Sequence, residues 1–337
     1  MSQIRLGIVG CGGMSKSHAR GFEEISDRVT VAATVDIIEE RARQAAELFP
    51  GAKAATDYRS VLDDVDALLL VLPHHLHHPI AKDCLEAGKH VLLEKPMANS
   101  EEECLDLIAT AERVDRVLMI AYCMRFHPLI VRLKQLVDEK AYGDMFQFSI
   151  WTEQLTKYPP DHWASSGATL GGGQLFSHGC HYIDLLLWFM GKPIRGSHVG
   201  TNYGTPWMER EGTSNVMIEF EGGRLGYHFG TWGARGSRLR YSFHAHCTEG
   251  MLEAATTQGK LYVHRRGQTQ LLMEAEPGKH TQNEMLHFLE CIETGRRPLT
   301  DGPGSLQGLR VIWRLYEAEE KRTVADLRGL GLDEVEL

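Results

Sequence analysis

The run from Ile4 to Ser15 constrains the fold more than any other stretch of the chain. Ile4, Leu6, Ile8 and Val9 are apolar and Gly7 breaks the run, the pattern of a short buried strand. Gly10-Cys11-Gly12-Gly13-Met14-Ser15 comes next, and a helical stretch starts at about Met14. The spacing is G-x-G-x-x-(G/A), with Ser15 in the last place. Gly10 permits the tight turn and Gly12 lets the backbone approach a pyrophosphate. A small residue at 15 lets the helix pack close to the strand. Gly10, Gly12, Gly13 and Met14 are therefore the first candidate cofactor contacts. The anion would rest on the N–H groups that open the helix.

A second strand, Val29 to Val35, ends in Asp36, close to the ~20 residues expected beyond the glycines. A carboxylate there accepts hydrogen bonds from both ribose hydroxyls of NAD and repels the 2′-phosphate of NADP. No Arg stands directly after it; the next residues are Ile37 and Ile38. NAD is thus expected rather than NADP.

The bulk properties exclude other classes. A chain of 337 residues with 43% hydrophobic content can build two cores. Net charge is −9, which argues against nucleic acid or an anionic membrane as the main partner. No apolar run approaches the ~18 residues that span a bilayer. Seven cysteines are scattered without a C-x-x-C pair, the usage of a reduced protein. With a strand at its start, the chain is expected to lack a signal peptide and to be cytoplasmic.

Residues 1–121 alternate strand and helix, with strands at 4–9, 29–35, 67–72, 90–93 and 117–121. Such alternation implies a parallel sheet covered on both faces, here a Rossmann dinucleotide-binding domain. Ser100 with Glu103 three residues on opens a helix as a capping box. After about 122 the pattern changes. Residues 122–337 read as an α+β domain with a large, open-faced, mostly antiparallel sheet. Its strands are expected at 145–152, 196–203, 213–220, 224–231, 239–247 and 261–265, and Phe220 to Arg224 forms a hairpin turn. Helices are expected at 129–138, 174–190, 281–294 and 304–321.

Two places carry candidate chemistry. Glu94-Lys95-Pro96 ends the apolar run Val91-Leu92-Leu93. In an open parallel sheet ligands bind beyond the carboxyl ends of the strands, so Lys95 points at the cofactor crevice. The second place is the stretch 173–184. On a regular helix Phe176, Cys180, Ile183 and Leu187 form an apolar stripe, and Ser177, His181, Asp184 and Trp188 a neighbouring one. His181 is a general acid or base near neutral pH, and Asp184, half buried, needs a partner. His178, His181 and Asp184 spread too far along the axis to converge on a metal. His74-His75-Leu76-His77-His78 also invites a metal reading. A loop and helix start after a strand explains it better, with His74 and His77 near phosphate or ribose. No metal site is read.

Taken together, these pieces resemble the glucose–fructose oxidoreductase, inositol 2-dehydrogenase and rhizopine-catabolism oxidoreductase family, Gfo/Idh/MocA. The marks are GIVGCGGMSKSHARG at 7–21, TVDIIEERA at 34–42, VLPHHLHHPIA at 71–81, CLEAGKHVLLEKPMA at 84–98, MRFHP at 124–128, GGGQLFSHGCHYIDLL at 171–186 and ECIETGRRPLTDG at 290–302. The resemblance implies a nicotinamide cofactor and an active site between the two domains. It implies that Lys95 hydrogen-bonds the reacting hydroxyl and that His181 takes its proton. Pro73, His74, His77, Glu94 and Lys95 join the cofactor set, Ser177 joins Lys95 and His181 in the catalytic set, and Arg125, His127, Trp163, His178 and Tyr182 form the substrate set. A homodimer or homotetramer through the open sheet face is implied as well. Two positions depart from the pattern. Ser177 stands where the family often has Asp, and His74 where it often has Asn. A hydroxyl cannot carry the proton a carboxylate would, so His178 or Asp184 is left to substitute for Ser177.

The expected activity is NAD(H)-dependent hydride transfer at a secondary hydroxyl of a sugar, sugar derivative or cyclitol. One alternative is redox-neutral glycoside cleavage on the same frame, with His178 and Tyr182 as further acid–base groups. Another, of a different class, is a sugar- or nucleotide-sensing protein without catalysis. Lys95, His181 and the lack of an appended DNA- or partner-binding segment argue against that.

Overall fold

The computed structural model describes residues 3–332. In chain order the elements are β1 Ile4–Val9, α1 Gly13–Ala19, β2 Val29–Val35, α2 Glu39–Ala46, β3 Lys53–Ala55, β4 Ala67–Leu70, α3 His77–Glu86, β5 His90–Leu93, α4 Glu101–Val114, β6 Leu118–Ile120 and α5 Pro128–Asp138. Next come β7 Met145–Glu153, α6 Gly167–Leu170, α7 Cys180–Met190, β8 Pro193–Thr201, β9 Thr213–Phe220, β10 Arg224–Thr231, β11 Tyr241–Cys247, β12 Gly250–Ala255, β13 Lys260–Arg265, β14 Gln268–Glu274, α8 Thr281–Thr294, α9 Gly302–Glu320 and β15 Ala325–Asp326. The chain divides into two compact units. Among the described residues, one runs to Cys123 and takes back His280–Leu306, and the other is Met124–Lys279 with residues 307–332.

The first unit holds a six-stranded parallel sheet in the order β3-β2-β1-β4-β5-β6. Leu68, Leu69, Leu70, Val91, Leu92 and Leu93 have no exposed surface, as a sheet covered on both faces requires. The register aligns Val9 with Val35 and Leu70, Leu70 with Leu93, and Leu93 with Ile120. The residues that come next, Asp36, Gly10, Val71 and Glu94, therefore stand in a row along one edge. Strand order reverses at β1, which makes that edge the crevice expected of a doubly wound sheet. Ser100 caps the helix by accepting from Glu103 N, as read, while Glu103 Oε2 reaches one residue further than a capping box would, to Asn99 N.

Residues 280–306 pack with this first unit, where the sequence reading gave all of 122–337 to the second domain. The reason is side-chain pairing across a long separation. Thr281 donates to Ser17 O at 3.0 Å, Arg28 pairs with Glu293 at 2.8 Å, and Ile120 N donates to Thr300 O at 2.8 Å. Local pattern cannot register such contacts.

The second unit holds a nine-stranded sheet in the order β14-β13-β12-β11-β7-β10-β9-β8-β15. Every pairing is antiparallel except β7 with β10. Alternation is clean in β9, where Ser214, Val216, Ile218 and Phe220 are buried and Asn215 and Met217 exposed. Helices α5, α7 and α9 lie on one face. The other face carries Trp151, Tyr227 and His244 in ring contact, with Met217 and Val199 exposed. β3, β12, β14 and β15 lie outside the strands read from sequence: β3 is three residues long and mostly exposed, β14 is an exposed edge without alternation, and β15 is two residues long. All seven cysteines are buried thiols outside any disulfide. Among the described residues no helix is long and apolar enough to cross a membrane.

Candidate functional site

The edge of the first unit is built largely from backbone. Gly10 has φ +92°, and a Cβ there would sit 2.0 Å from Val71 O, so both conformation and space demand glycine. Its N–H donates to Val35 O at 2.7 Å, tying β1 to β2. Gly12 and Gly13 differ: a Cβ at either would meet no atom within 4 Å. Nothing in the protein forbids a side chain there, so the bare backbone leaves open space above the turn. Ser15 is buried and donates to Gly12 O at 2.7 Å, which closes the turn onto α1. Met14 lies partly buried in the first turn of that helix.

Asp36 serves this turn directly. One carboxylate oxygen accepts from Cys11 N at 2.9 Å and the other from Ile38 N at 2.9 Å. Each oxygen keeps a second lone pair for a ligand hydroxyl. The Cys11 thiol is pushed up to about 12 by burial and then by Asp36, so it stays protonated.

Glu94 is buried, and its carboxylate turns back into the domain. It accepts from His18 Nε2 at 2.8 Å and from Lys95 N at 3.3 Å. His18, with no exposed surface, is not marked in the sequence, because a helix His carries no signal for a partner 76 positions away. This pair fixes the strand end from which Lys95, partly exposed, projects. His77 also has no exposed surface. Nδ1 lies 2.7 Å from Pro96 O and Nε2 2.9 Å from Leu72 O, so its ring ties the ends of β4 and β5 together. Burial lowers its pKa, opposed by those two carbonyls. Pro73 opens the turn into α3, and His74 is buried with its ring 5.4 Å from that of His77.

In the second unit the stretch 173–190 is not one uniform α-helix. Leu175–Gly179 is a π-helical turn that leads into α7. Such a turn adds a residue and rotates the helix on its N-terminal side relative to the helix on its C-terminal side. The two stripes read from regular spacing are therefore out of register across Gly179. A Cβ on Gly179 would lie 2.8 Å from Leu175 Cδ1 and 3.4 Å from His228 Cε1, so glycine allows the close approach to β10.

Around this turn the polar groups gather. Ser177 and His181 are each 7% exposed, and His178 is partly exposed. The rings of His178 and His181 lie 6.2 Å apart at 85°. His178 Nε2 is 3.2 Å from Tyr182 OH and 3.3 Å from Tyr241 OH, and Tyr241 donates to Gln154. His228 stacks on Tyr182 at 4.9 Å, its Nε2 3.1 Å from Thr152 Oγ1; burial, then His198, pushes it down to about 3, so it is neutral. Tyr241, Gln154 and His228 are not among the residues that the sequence singles out. His228 lies mid-strand in β10, Tyr241 opens β11 and Gln154 follows β7, none with spacing to mark it.

Asp184, one of the two groups left to substitute for Ser177, is engaged by Arg125. It is 2% exposed and forms a bidentate pair with Arg125, at 2.7 Å on each oxygen. Arg125 is correspondingly buried and lies over Trp188 at 5.1 Å. His127 has no exposed surface, and its Nδ1 accepts from Leu129 N to cap α5. Trp163 opens a short turn and packs on the cluster of Ala164, Leu170, Met208 and Trp232. Arg125 and His127 thus hold elements together, while His178, His181 and Tyr182 share one patch. Among the described residues no group of three His, Cys, Asp or Glu is placed to hold a metal ion.

Comparison with known proteins reaches both units. Residues 4–122 match an oxidoreductase family with an NAD-binding Rossmann fold, and residues 130–253 match the GFO/IDH/MocA C-terminal domain. The chain is 29% identical to inositol 2-dehydrogenase 2 of Saccharopolyspora erythraea over 66% of this chain and 65% of that protein. It is 32% identical to the 1-carboxy-3-chloro-3,4-dihydroxycyclohexa-1,5-diene dehydrogenase of Comamonas testosteroni over 65% of this chain and 56% of that one. The match thus spans less than two thirds of the length of each of these relatives. The crystal structure of the aldose-aldose oxidoreductase from Caulobacter crescentus, complexed with glycerol, superposes with a TM-score of 0.86 at 26% identity, covering 97% of this chain and 100% of that one.

Proposed function

The chain belongs to the GFO/IDH/MocA oxidoreductase family, and on that premise we propose that it is an NAD(H)-dependent dehydrogenase or reductase of a secondary hydroxyl on a sugar, sugar derivative or cyclitol. The observation that carries the reading is the turn at Gly10–Gly13. Gly10 is required by the fold, but Gly12 and Gly13 leave a cradle that side chains would fill. A pyrophosphate fits such a backbone surface, and Asp36 at the end of β2 fits a ribose diol while disfavouring a 2′-phosphate. The cofactor bound there supplies the hydride acceptor or donor.

The chain's own groups handle the rest. The Lys95 ammonium donates to the oxygen that reacts, and His181 takes or returns its proton. The substrate class is taken from relatives named for inositol and aldoses. Assembly as a homodimer or homotetramer through the open face of the nine-stranded sheet belongs to the same reading; the exposed Met217 and Val199 support it.

One observation favours a second reading. His178 lies within reach of both Tyr182 and Tyr241, a second acid–base group beside His181. Redox-neutral cleavage of a glycoside would use such a group to expel the aglycone. The near-ultraviolet absorbance of reduced nicotinamide, monitored with NAD⁺ or NADP⁺ and a panel of sugars, glycosides and cyclitols, tests both. The expected result is a rise with NAD⁺ and a polyol. Release of an aglycone without net reduction favours the second reading. A rise only with NADP⁺ contradicts the role given to Asp36.

A further inference from the structure

The helix that carries Ser177, His178 and His181 begins at residues whose N–H groups have no partner within the helix. In most proteins a cap residue just upstream satisfies them. Here none does; upstream stand Gly171, Gly172 and Gly173. The partners come from two distant segments instead. Tyr316, on α9, accepts from Gly173 N and Phe176 N at 3.2 Å each. Glu211, before β9, accepts from Leu175 N at 3.2 Å through Oε1, and its own backbone oxygen accepts from Gln174 N at 2.7 Å. The two are joined, since Tyr316 OH donates to Glu211 Oε1 at 2.6 Å. Four consecutive N–H groups, from 173 to 176, are thus held by one phenol and one glutamate.

The glycines are where this arrangement needs them. A Cβ on Gly173 would lie 2.2 Å from the Glu211 carboxyl carbon, and one on Gly172 would lie 2.5 Å from Phe176 Cβ and 3.2 Å from Tyr316 OH. A Cβ on Gly200, on the adjacent β8, would lie 2.7 Å from Glu211 Cγ. Three glycines therefore make room for a single pair of side chains. Glu211 is also charge-matched, because a carboxylate at a helix start opposes the positive end of the backbone dipole. Two residues upstream, Glu209 accepts from Gly167 N at 2.7 Å, which pins the loop that delivers Glu211. On its far side the Tyr316 ring meets His198 edge-on at 5.3 Å, and His198 is bound to Glu319 and Ser214 at 2.7 and 2.9 Å.

We propose that Glu211 and Tyr316 are positioning residues for the proton-handling helix: by gripping the backbone of residues 173–176 they fix the π-helical turn, and through it the placement of Ser177, His178 and His181. Neither touches the reacting atoms. The proposal rests on the reading that His181 moves a proton, so its test has a readout that does not depend on that reading. Displacing a catalytic group by an ångström is worth up to about 100-fold in rate, and this device sets such displacements.

The experiment compares Tyr316→Phe, Glu211→Ala and Glu211→Gln with the unaltered chain. Histidine imidazole signals are monitored by NMR through a pH titration, with His178→Asn and His181→Asn used for assignment. Turnover, KM, nucleotide affinity and thermal stability are measured in parallel. Tyr316→Phe keeps the ring and loses only the hydroxyl, so it tests the contact in a folded protein. The expected result is a changed environment and titration midpoint for His178 and His181, and kcat lowered about 10- to 100-fold. Nucleotide affinity stays unchanged, and Glu211→Gln, which keeps the accepting oxygen, recovers most of what Glu211→Ala loses. Unmoved His178 and His181 signals in Tyr316→Phe would overturn the proposal, even if stability fell. Normal turnover in His181→Asn would instead remove the role given to His181, and the imidazole signals would still decide the anchor.

Discussion

The glycine-turn edge of the first unit and the helix that carries His178 and His181 in the second are fixed by different means. At the edge, Gly10 N bonds Val35 O, Asp36 bonds Cys11 N, and the open space above Gly12 and Gly13 is a property of bare backbone. The partners of the glycine turn lie within one strand–turn–helix–strand unit, while the Glu94 end of the same edge is held by His18, 76 positions away. At the helix, the backbone of Gly173 is held by Tyr316, 143 positions away, and Asp184 by Arg125, 59 positions away. One region is specified by side chains the chain leaves out, the other by side chains that meet only after folding. The first can be carried as a short motif. The second tolerates change at a single motif position, such as Ser177, only if distant partners still hold the helix.

That contrast can be broken most readily at Arg125. Arg125→Ala leaves the Asp184 carboxylate buried without its partner, and the expected cost is about 3–5 kcal/mol in denaturant unfolding. Arg125→Met combined with Asp184→Leu should recover most of it, because the loss comes from a stranded charge. A cost below ~1 kcal/mol would mean that the helix is held by local packing alone, as the nucleotide edge is.

Acid should weaken both units together. Burial, then His198, takes His228 down to about 3. Burial, then Arg116, takes His90 down to about 4; burial, then Arg296, does the same to His287. Each binds a proton more readily in the unfolded chain, at the ordinary histidine value of 6.5, than in the folded one. Their contribution is therefore complete above pH 6.5 and declines as pH falls toward 4 and then 3. Urea unfolding at stepped pH should show stability rising through that window. Replacing His228 with Gln should flatten part of the slope, and an unchanged slope would place the titrating groups elsewhere.

The smallest expected change in stability is the most informative about the edge. Gly12→Val adds atoms where the protein has none, and Gly12 has φ −82°, which any residue adopts. Folding should change by less than ~1 kcal/mol, while nucleotide affinity falls by about 1–3 kcal/mol, roughly 5- to 150-fold. Unfolding and a nucleotide titration on the same variant separate the two. Equal losses in both would show that the cradle is part of the fold rather than space kept for a ligand.

The same contrast explains how much of the molecule is legible in the sequence. The parallel sheet, the Gly10 turn, the placement of Asp36 and Lys95 at strand ends, and the Ser100 cap come from local spacing, and the structure has them. The π-helical turn at 175–179 does not, because its apolar pattern fits a regular helix equally well. The motif at 124–128 marks Arg125 and His127, but not that Arg125 pairs with Asp184 and His127 caps Leu129 N, because those partners are set by the fold. Glu211 and Tyr316 leave no trace at all, since nothing in sequence links a loop glutamate to a tyrosine 105 positions on. The return of residues 280–306 to the first unit is hidden for the same reason.

The most direct test of this division of labour measures nucleotide binding and turnover side by side in Lys95→Ala and His181→Ala. The account predicts that both variants bind NAD as the unaltered chain does while turnover falls by about 10²- to 10⁴-fold, the worth of a positioned acid–base group. Near-normal turnover in both variants, or loss of nucleotide binding in His181→Ala, would contradict it.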